Sequence, residues 1–213
     1  MQHWDIYFIT SQDLSRGRNT IDVVKAAVEA GVDVVQLREK HMEGKELLQL
    51  GMQVREITLK HGVQFIVNDR VDIAVLCDAD GVHLGQKDIP FMYARSILKK
   101  DKIIGISAEN LEQALQAEKD GASYVGVGPI FNTMSKSDAA PQVGLQNLKT
   151  ISKSIGIPVV AVGGINHLNA HQVIANGAHC ISLISAISQA DDIYGSVKSL
   201  KEIIKKAKMG VNS

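Results

Sequence analysis

The chain has 213 residues, 23 Lys+Arg against 23 Asp+Glu, 45% hydrophobic and only 4% aromatic residues. That length predicts one domain over residues 1–213 with a sizeable, aliphatic core. Zero net charge without a basic face argues against bulk binding to nucleic acid or a membrane surface, and no apolar stretch approaches membrane-spanning length.

Eight short apolar runs punctuate the chain, each near-continuous and rich in Val and Ile, as strands buried on both faces should be. Ile6–Ile9 is the first. A helix follows, with Asn19 or Thr20 as its cap, Ile21, Val24, Ala27 and Val28 on one face, and Gly31 as its stop. After Val34–Leu37, Leu47, Leu50, Val54 and Ile57 form a second stripe that stops at Gly62. Phe65–Val67, Gly81–Leu84 and Ile103–Ile106 are the next strands. Asn110 caps a helix through Leu111, Ala114, Leu115 and Glu118, which stops at Gly121. Tyr124–Val127, Val159–Val162 and Cys180–Ile184 complete the series.

A repeated plan runs through Gly31–Val35, Gly121–Val125 and Gly177–Ile181: glycine, small residue, polar residue, strand. Ala79–His83 is a looser copy. Eight strands alternating with helices predict an α/β fold, a single parallel (β/α)8 TIM barrel. A doubly wound open sheet is the competitor, but it places its site at one switch point. Here polar residues follow at least six strands, which favours closure. Cys77 and Cys180 lack CxxC spacing and read as buried thiols in a reducing cytoplasm. The N-terminus shows no basic region leading into a long apolar segment, so no signal peptide is expected.

The polar strand ends carry the chemistry. Gly126–Lys136 breaks from a strand into a glycine turn, then offers Thr133, Ser135 and Lys136. Backbone N–H groups, hydroxyls and a lysine together suit a phosphate. Gly163-Gly164 and Ser185-Ala186 follow the seventh and eighth strands, where barrels recurrently bind phosphate; a tight turn is the bland alternative. Gln36, Arg38 and Lys40 alternate along one strand face, matching an anion such as pyrophosphate, against a surface charge cluster with Glu39. Asp69 and Asp88 are two carboxylates able to hold a hard divalent ion with phosphate oxygens. Helix capping by Asn68-Asp69 and by Asp88 is the alternative. Asp72, Asp78 and Asp80 read as solvated or capping residues. His83 lies inside a strand and belongs to a pocket only if it points to the upper barrel layer. No zinc spacing and no nucleophile motif appears.

Taken together, Tyr7–Thr10, Gln36–Lys40, Asn68-Asp69, Asp80–Asp88, Gly105–Ser107, Tyr124–Lys136 with Asp138-Ala139, Val162–Ile165 and Ser185-Ala186 resemble the thiamine phosphate synthase family, from first strand to last. The resemblance implies a (β/α)8 transferase of thiamine biosynthesis. It would join hydroxymethylpyrimidine diphosphate to a thiazole phosphate, or its carboxylated form, releasing pyrophosphate with Mg2+. It implies Asp69 and Asp88 as magnesium ligands, and Arg38, Lys40, Asn68, Ser107 and Lys136 as pyrophosphate contacts. Ser107, Lys136, Arg38 and Lys40 then carry the catalysis. Gln36, His83 and Tyr124 would belong to the pyrimidine pocket, and Thr133, Ser135, Gly164 and Ser185 to the thiazole-phosphate cradle, with Ile184 also in contact with substrate. Asn132 stands where the family usually has proline, and Ser135 where threonine is usual. Small-molecule substrates are the expected partners, with a homo-oligomer left open. A sister group of thiazole tautomerases or regulatory barrels, and a non-catalytic phosphate sensor, are the alternatives. The sister group carries histidine where this chain has Pro129 and tends to lose the pyrophosphate set.

Overall fold

The computed structural model describes residues 4–133 and 141–211. Its strands are β1 (Ile6–Ile9), β2 (Val34–Leu37), β3 (Gln64–Asn68), β4 (Gly81–Leu84), β5 (Ile103–Ala108), β6 (Tyr124–Val127), β7 (Val159–Val162) and β8 (Cys180–Leu183). All neighbours pair in parallel and β8 returns to β1, closing the barrel. The helices are α1 (Thr20–Ala30), α2 (Gly44–His61), α3 (Val71–Leu76), α4 (Phe91–Ile97), α5 (Leu111–Asp120), α6 (Gly144–Ser154), α7 (Ala170–Ala175), α8 (Ser185–Ser188) and α9 (Ile193–Val211). No helix among the described residues is long and apolar enough to cross a membrane.

Local signals act as the residues suggest. Asn19 and Asn110 accept the backbone N–H groups of Asp22 and Gln113, satisfying donors at the starts of α1 and α5. Gly31, Gly62 and Gly121 stop their helices in the left-handed region. β3 and β5 run further than their apolar cores, because the polar Asn68 and Ser107 still pair with β4 and β6. β8 stops one residue before Ile184, whose ψ of −83° turns the chain into the single turn of α8.

Alternation along the strands builds two apolar layers. One face packs against the helices in the main core, from Ile6 and Phe8 to Ile181 and Leu183. The other face fills the lower barrel with Tyr7, Val34, Ile66, Tyr124, Val160 and Cys180.

The repeated polar residue has a structural function. Asp33 accepts the N–H groups of Asp5 and Ile6 at 2.9 Å each, Asp80 that of Phe65 at 2.7 Å, Ser123 that of Ile104 at 3.1 Å, and His179 that of Val159 at 3.2 Å. Each residue precedes an even-numbered strand and latches the start of the preceding odd one. Asp80 also meets Arg55 at 3.1 Å, so it is neither solvated nor a helix cap, as its sequence context suggested. Removing an acceptor that leaves a half-buried N–H unpaired costs about 2 kcal/mol. Asp80→Ala should therefore lower stability by about that amount in denaturant titration while leaving KM unchanged.

Candidate active site

The C-terminal ends of the strands surround a cavity of about 280 Å³, at the small end of small-molecule sites. Arg38, Lys40, Asn68, Asp69, His83 and Asp88, from the ends of β2, β3 and β4, line it. Ser107, Thr133, Gly164, Ile184 and Ser185 line it as well. Residues from seven of the eight strand ends or their loops thus meet in one space. Ser135 and Lys136 lie outside the described residues.

Arg38 and Lys40 reach the cavity from the short extension of the chain between β2 and the turn at Lys40. Thr10 Oγ1 accepts the Arg38 N–H at 3.0 Å and holds that extension. Glu39 turns the other way, accepting the Gln12 N–H at 2.8 Å and the Thr20 hydroxyl at 3.1 Å. Arg38 and Lys40 thus line the cavity while Glu39 holds the loop after β1 and the start of α1.

Asp69 has φ 60°, a left-handed conformation that carries its side chain back over the cavity. The residue that precedes α3 is Arg70, and no side chain caps that helix. Asp88 accepts the Gly85 N–H at 2.6 Å and does not cap α4, which follows Pro90. Neither acid has the capping role that was its alternative. Instead they meet each other. Burial, then the hydrogen bond and charge of Asp88, push the Asp69 carboxyl up to about 6, against the opposing pull of Lys40 and Arg38. Two acids held together beside cations form a pair that a divalent ion would relieve. Among the described residues no cluster of three or more His, Cys, Asp or Glu could hold a metal. Two carboxylates completed by phosphate oxygens and water fit magnesium better than a transition metal.

Gln36 and Tyr124, expected in the pocket wall, sit one layer lower. They are 2% and 1% exposed, respectively, and do not line the cavity. Gln36 Nε2 donates to Tyr7 Oη at 2.8 Å, Tyr7 Oη and Tyr124 Oη are 2.8 Å apart, and Tyr124 Oη lies 2.9 Å from His83 Nδ1. His83 Nε2 completes the chain to Ser107 Oγ at 3.0 Å. His83 therefore does point to the upper layer, although its imidazole is bonded on both nitrogens. Gly126 makes room for it: a Cβ there would fall 2.8 Å from His83 Cε1.

Gly164 (φ 66°) lets the seventh loop pass against the sixth, where a Cβ would lie 2.6 Å from the Asn132 carbonyl oxygen. Several lining residues escaped attention in the sequence. Glu109 lies two positions beyond Ser107, and Ser182 two before Ile184, so strand alternation alone would have found both. Ser182 presents a buried hydroxyl that has no partner among the described residues. Gln86 ties two loops together by donating to the Ser107 carbonyl at 2.6 Å.

A family model described as thiamine monophosphate synthase matches residues 6–187. The chain belongs to that family. A thiamine-phosphate synthase from Moorella thermoacetica is 45% identical over 208 residues, covering 98% of this chain and 99% of the relative. One from Chloroflexus aurantiacus is 46% identical over 94% and 93% of the two chains. The solved thiamine phosphate pyrophosphorylase from Pyrococcus furiosus superposes with a TM-score of 0.89 at 38% identity, covering 96% of this chain and 97% of its own. The resemblance in the strand-end residues and the closed barrel thus agree with whole-chain similarity, and the thiamine-phosphate synthase family is one of transferases.

Proposed function

We propose that this cavity joins hydroxymethylpyrimidine diphosphate to thiazole phosphate by a dissociative route. The observation that carries the reading is the convergence of two cations, two carboxylates and a hydroxyl on a single cavity. The exocyclic CH2–O bond breaks and its electron pair leaves with the diphosphate. The ring amino group delocalises the resulting cation. The thiazole nitrogen then attacks the CH2 group, and an N–C bond replaces the one lost.

No protein nucleophile is needed for this route. Arg38 and Lys40 neutralise the departing anion, with Asn68 and Ser107 donating to its oxygens. Magnesium, held by Asp69 and Asp88, would add positive charge on the same leaving group. Lys136, by family resemblance, brings a further cation. Thr133, Gly164 and Ser185 hold the thiazole phosphate, with Ile184 beside them; Ser135 joins this cradle by family resemblance. His83 forms the floor of the pyrimidine pocket, and Gln36 and Tyr124 support it from below. The apolar layer under that floor keeps water from capturing the cation.

Thiamine phosphate formation from the two substrates tests the reading directly. Turnover should disappear in excess chelator and return with magnesium. Activity that persists in chelator would remove Asp69 and Asp88 from the metal role.

A further inference from the structure

We propose that Gln36, Tyr7, Tyr124 and His83 form a directed hydrogen-bond relay that fixes the proton of His83 on Nε2 and turns the Ser107 hydroxyl hydrogen into the cavity. The inference rests on the reading of that cavity as the place where diphosphate leaves. It assigns work to Tyr7, which does not line the cavity.

Counting hydrogens gives the direction. The Gln36 amide donates to Tyr7 Oη. A phenol has one hydrogen to give, and the Tyr124 oxygen is its neighbour at 2.8 Å. Tyr124, having accepted, gives its own hydrogen to His83 Nδ1 at 2.9 Å. The ring proton must then sit on Nε2, which donates to Ser107 Oγ at 3.0 Å. The Ser107 oxygen is thereby an acceptor within the relay, and its hydrogen is spare for the cavity it lines.

Reversal would require the Gln36 amide to present its oxygen to Tyr7 in place of Nε2 and would turn Ser107 toward the imidazole, leaving only lone pairs facing a departing anion. Burial pushes both phenols well above their usual range, so each keeps its hydrogen. Packing holds the path in place: the tyrosine ring centres lie 5.9 Å apart, Trp4 meets both edge-on, and the Tyr124 ring lies 5.5 Å from the imidazole in a stacked arrangement.

Imidazole 15N spectra of the substrate-free protein, with the His83 signals assigned by a His83→Asn variant, test the direction. Wild type should show His83 protonated on Nε2. Tyr7→Phe and Gln36→Met, which remove the source of direction without touching the imidazole, should give a mixture of tautomers. In steady-state kinetics Tyr7→Phe should lower kcat about tenfold, the equivalent of one hydrogen bond lost from the transition state, with KM nearly unchanged. In a Ser107→Ala background the same substitution should have no further effect. A wild-type ring protonated on Nδ1 overturns the relay. So does a wild-type tautomer in both variants, or mixed tautomers with undiminished kcat. Because the spectra need no substrate, absence of turnover in the unaltered protein would count against the catalytic reading and leave the relay to be judged separately.

Discussion

Asp69→Asn is expected to lower turnover roughly a thousandfold, the kinetic equivalent of losing several kcal/mol of charge stabilisation at the leaving group. Asparagine is the right replacement. Asp69 sits at φ 60°, where asparagine is comfortable and alanine would add strain of its own. The same substitution should make the metal-free protein more stable near neutral pH. The Asp69 carboxyl titrates at about 6 when folded, against 3.8 for the free group. The folded protein therefore holds this proton to higher pH than the unfolded chain does. The associated stability is fully present below pH 4 and is lost as pH rises through about 6. Asparagine has no such proton. Thermal unfolding in chelator should then place variant and wild type together near pH 4 and the variant higher at pH 7.5. Magnesium at pH 7.5 should raise the midpoint of wild type and leave the variant's unchanged. Wild-type turnover in the variant would take Asp69 out of the site. A lower midpoint for the variant at pH 7.5 would contradict the strained carboxyl pair.

Gly105→Ala should be among the most disruptive single-methyl changes in the barrel. A Cβ there would lie 2.1 Å from Tyr124 Cζ and 2.4 Å from its hydroxyl oxygen. Neither the ring nor the strand can yield easily. Tyr124 is fully buried between Trp4, Tyr7 and His83, and Gly105 is paired on both sides with β4 and β6. Overpacking of this kind costs about 3 kcal/mol, which lowers the melting midpoint of a chain this size by about 10 °C. Gly210→Ala is the control. It lies in α9 with open space around the added methyl, so alanine's better helix propensity should leave stability equal or slightly raised. Equal midpoints for the two variants would show that the lower barrel layer has slack the packing does not suggest.

The residues by themselves determined the eight strands, the helix caps at Asn19 and Asn110, the glycine stops and the alternating plan that closes into a barrel. These are short-range matters: hydrophobic period, side-chain caps and backbone freedom act within a few residues of one another. The sequence also marked Arg38, Lys40, Asp69, Asp88 and Ser107, because polar groups after buried strands leave few other places to go. Only the tertiary structure decided what those groups do to each other. Asp33 is only the polar place of a repeat in sequence and Asp80 looks solvated or capping, yet each binds the backbone of a strand that starts 15 or more residues away. Asp69 and Asp88 read equally well as caps until the loops after β3 and β4 bring their carboxyl groups together. Tyr7 and Tyr124, 117 residues apart, become hydrogen-bonded partners only because closure of the sheet puts β1 and β6 across a narrow interior. Closure is a property of all eight strands at once, and the contacts made across the barrel have no counterpart in any local stretch of the chain.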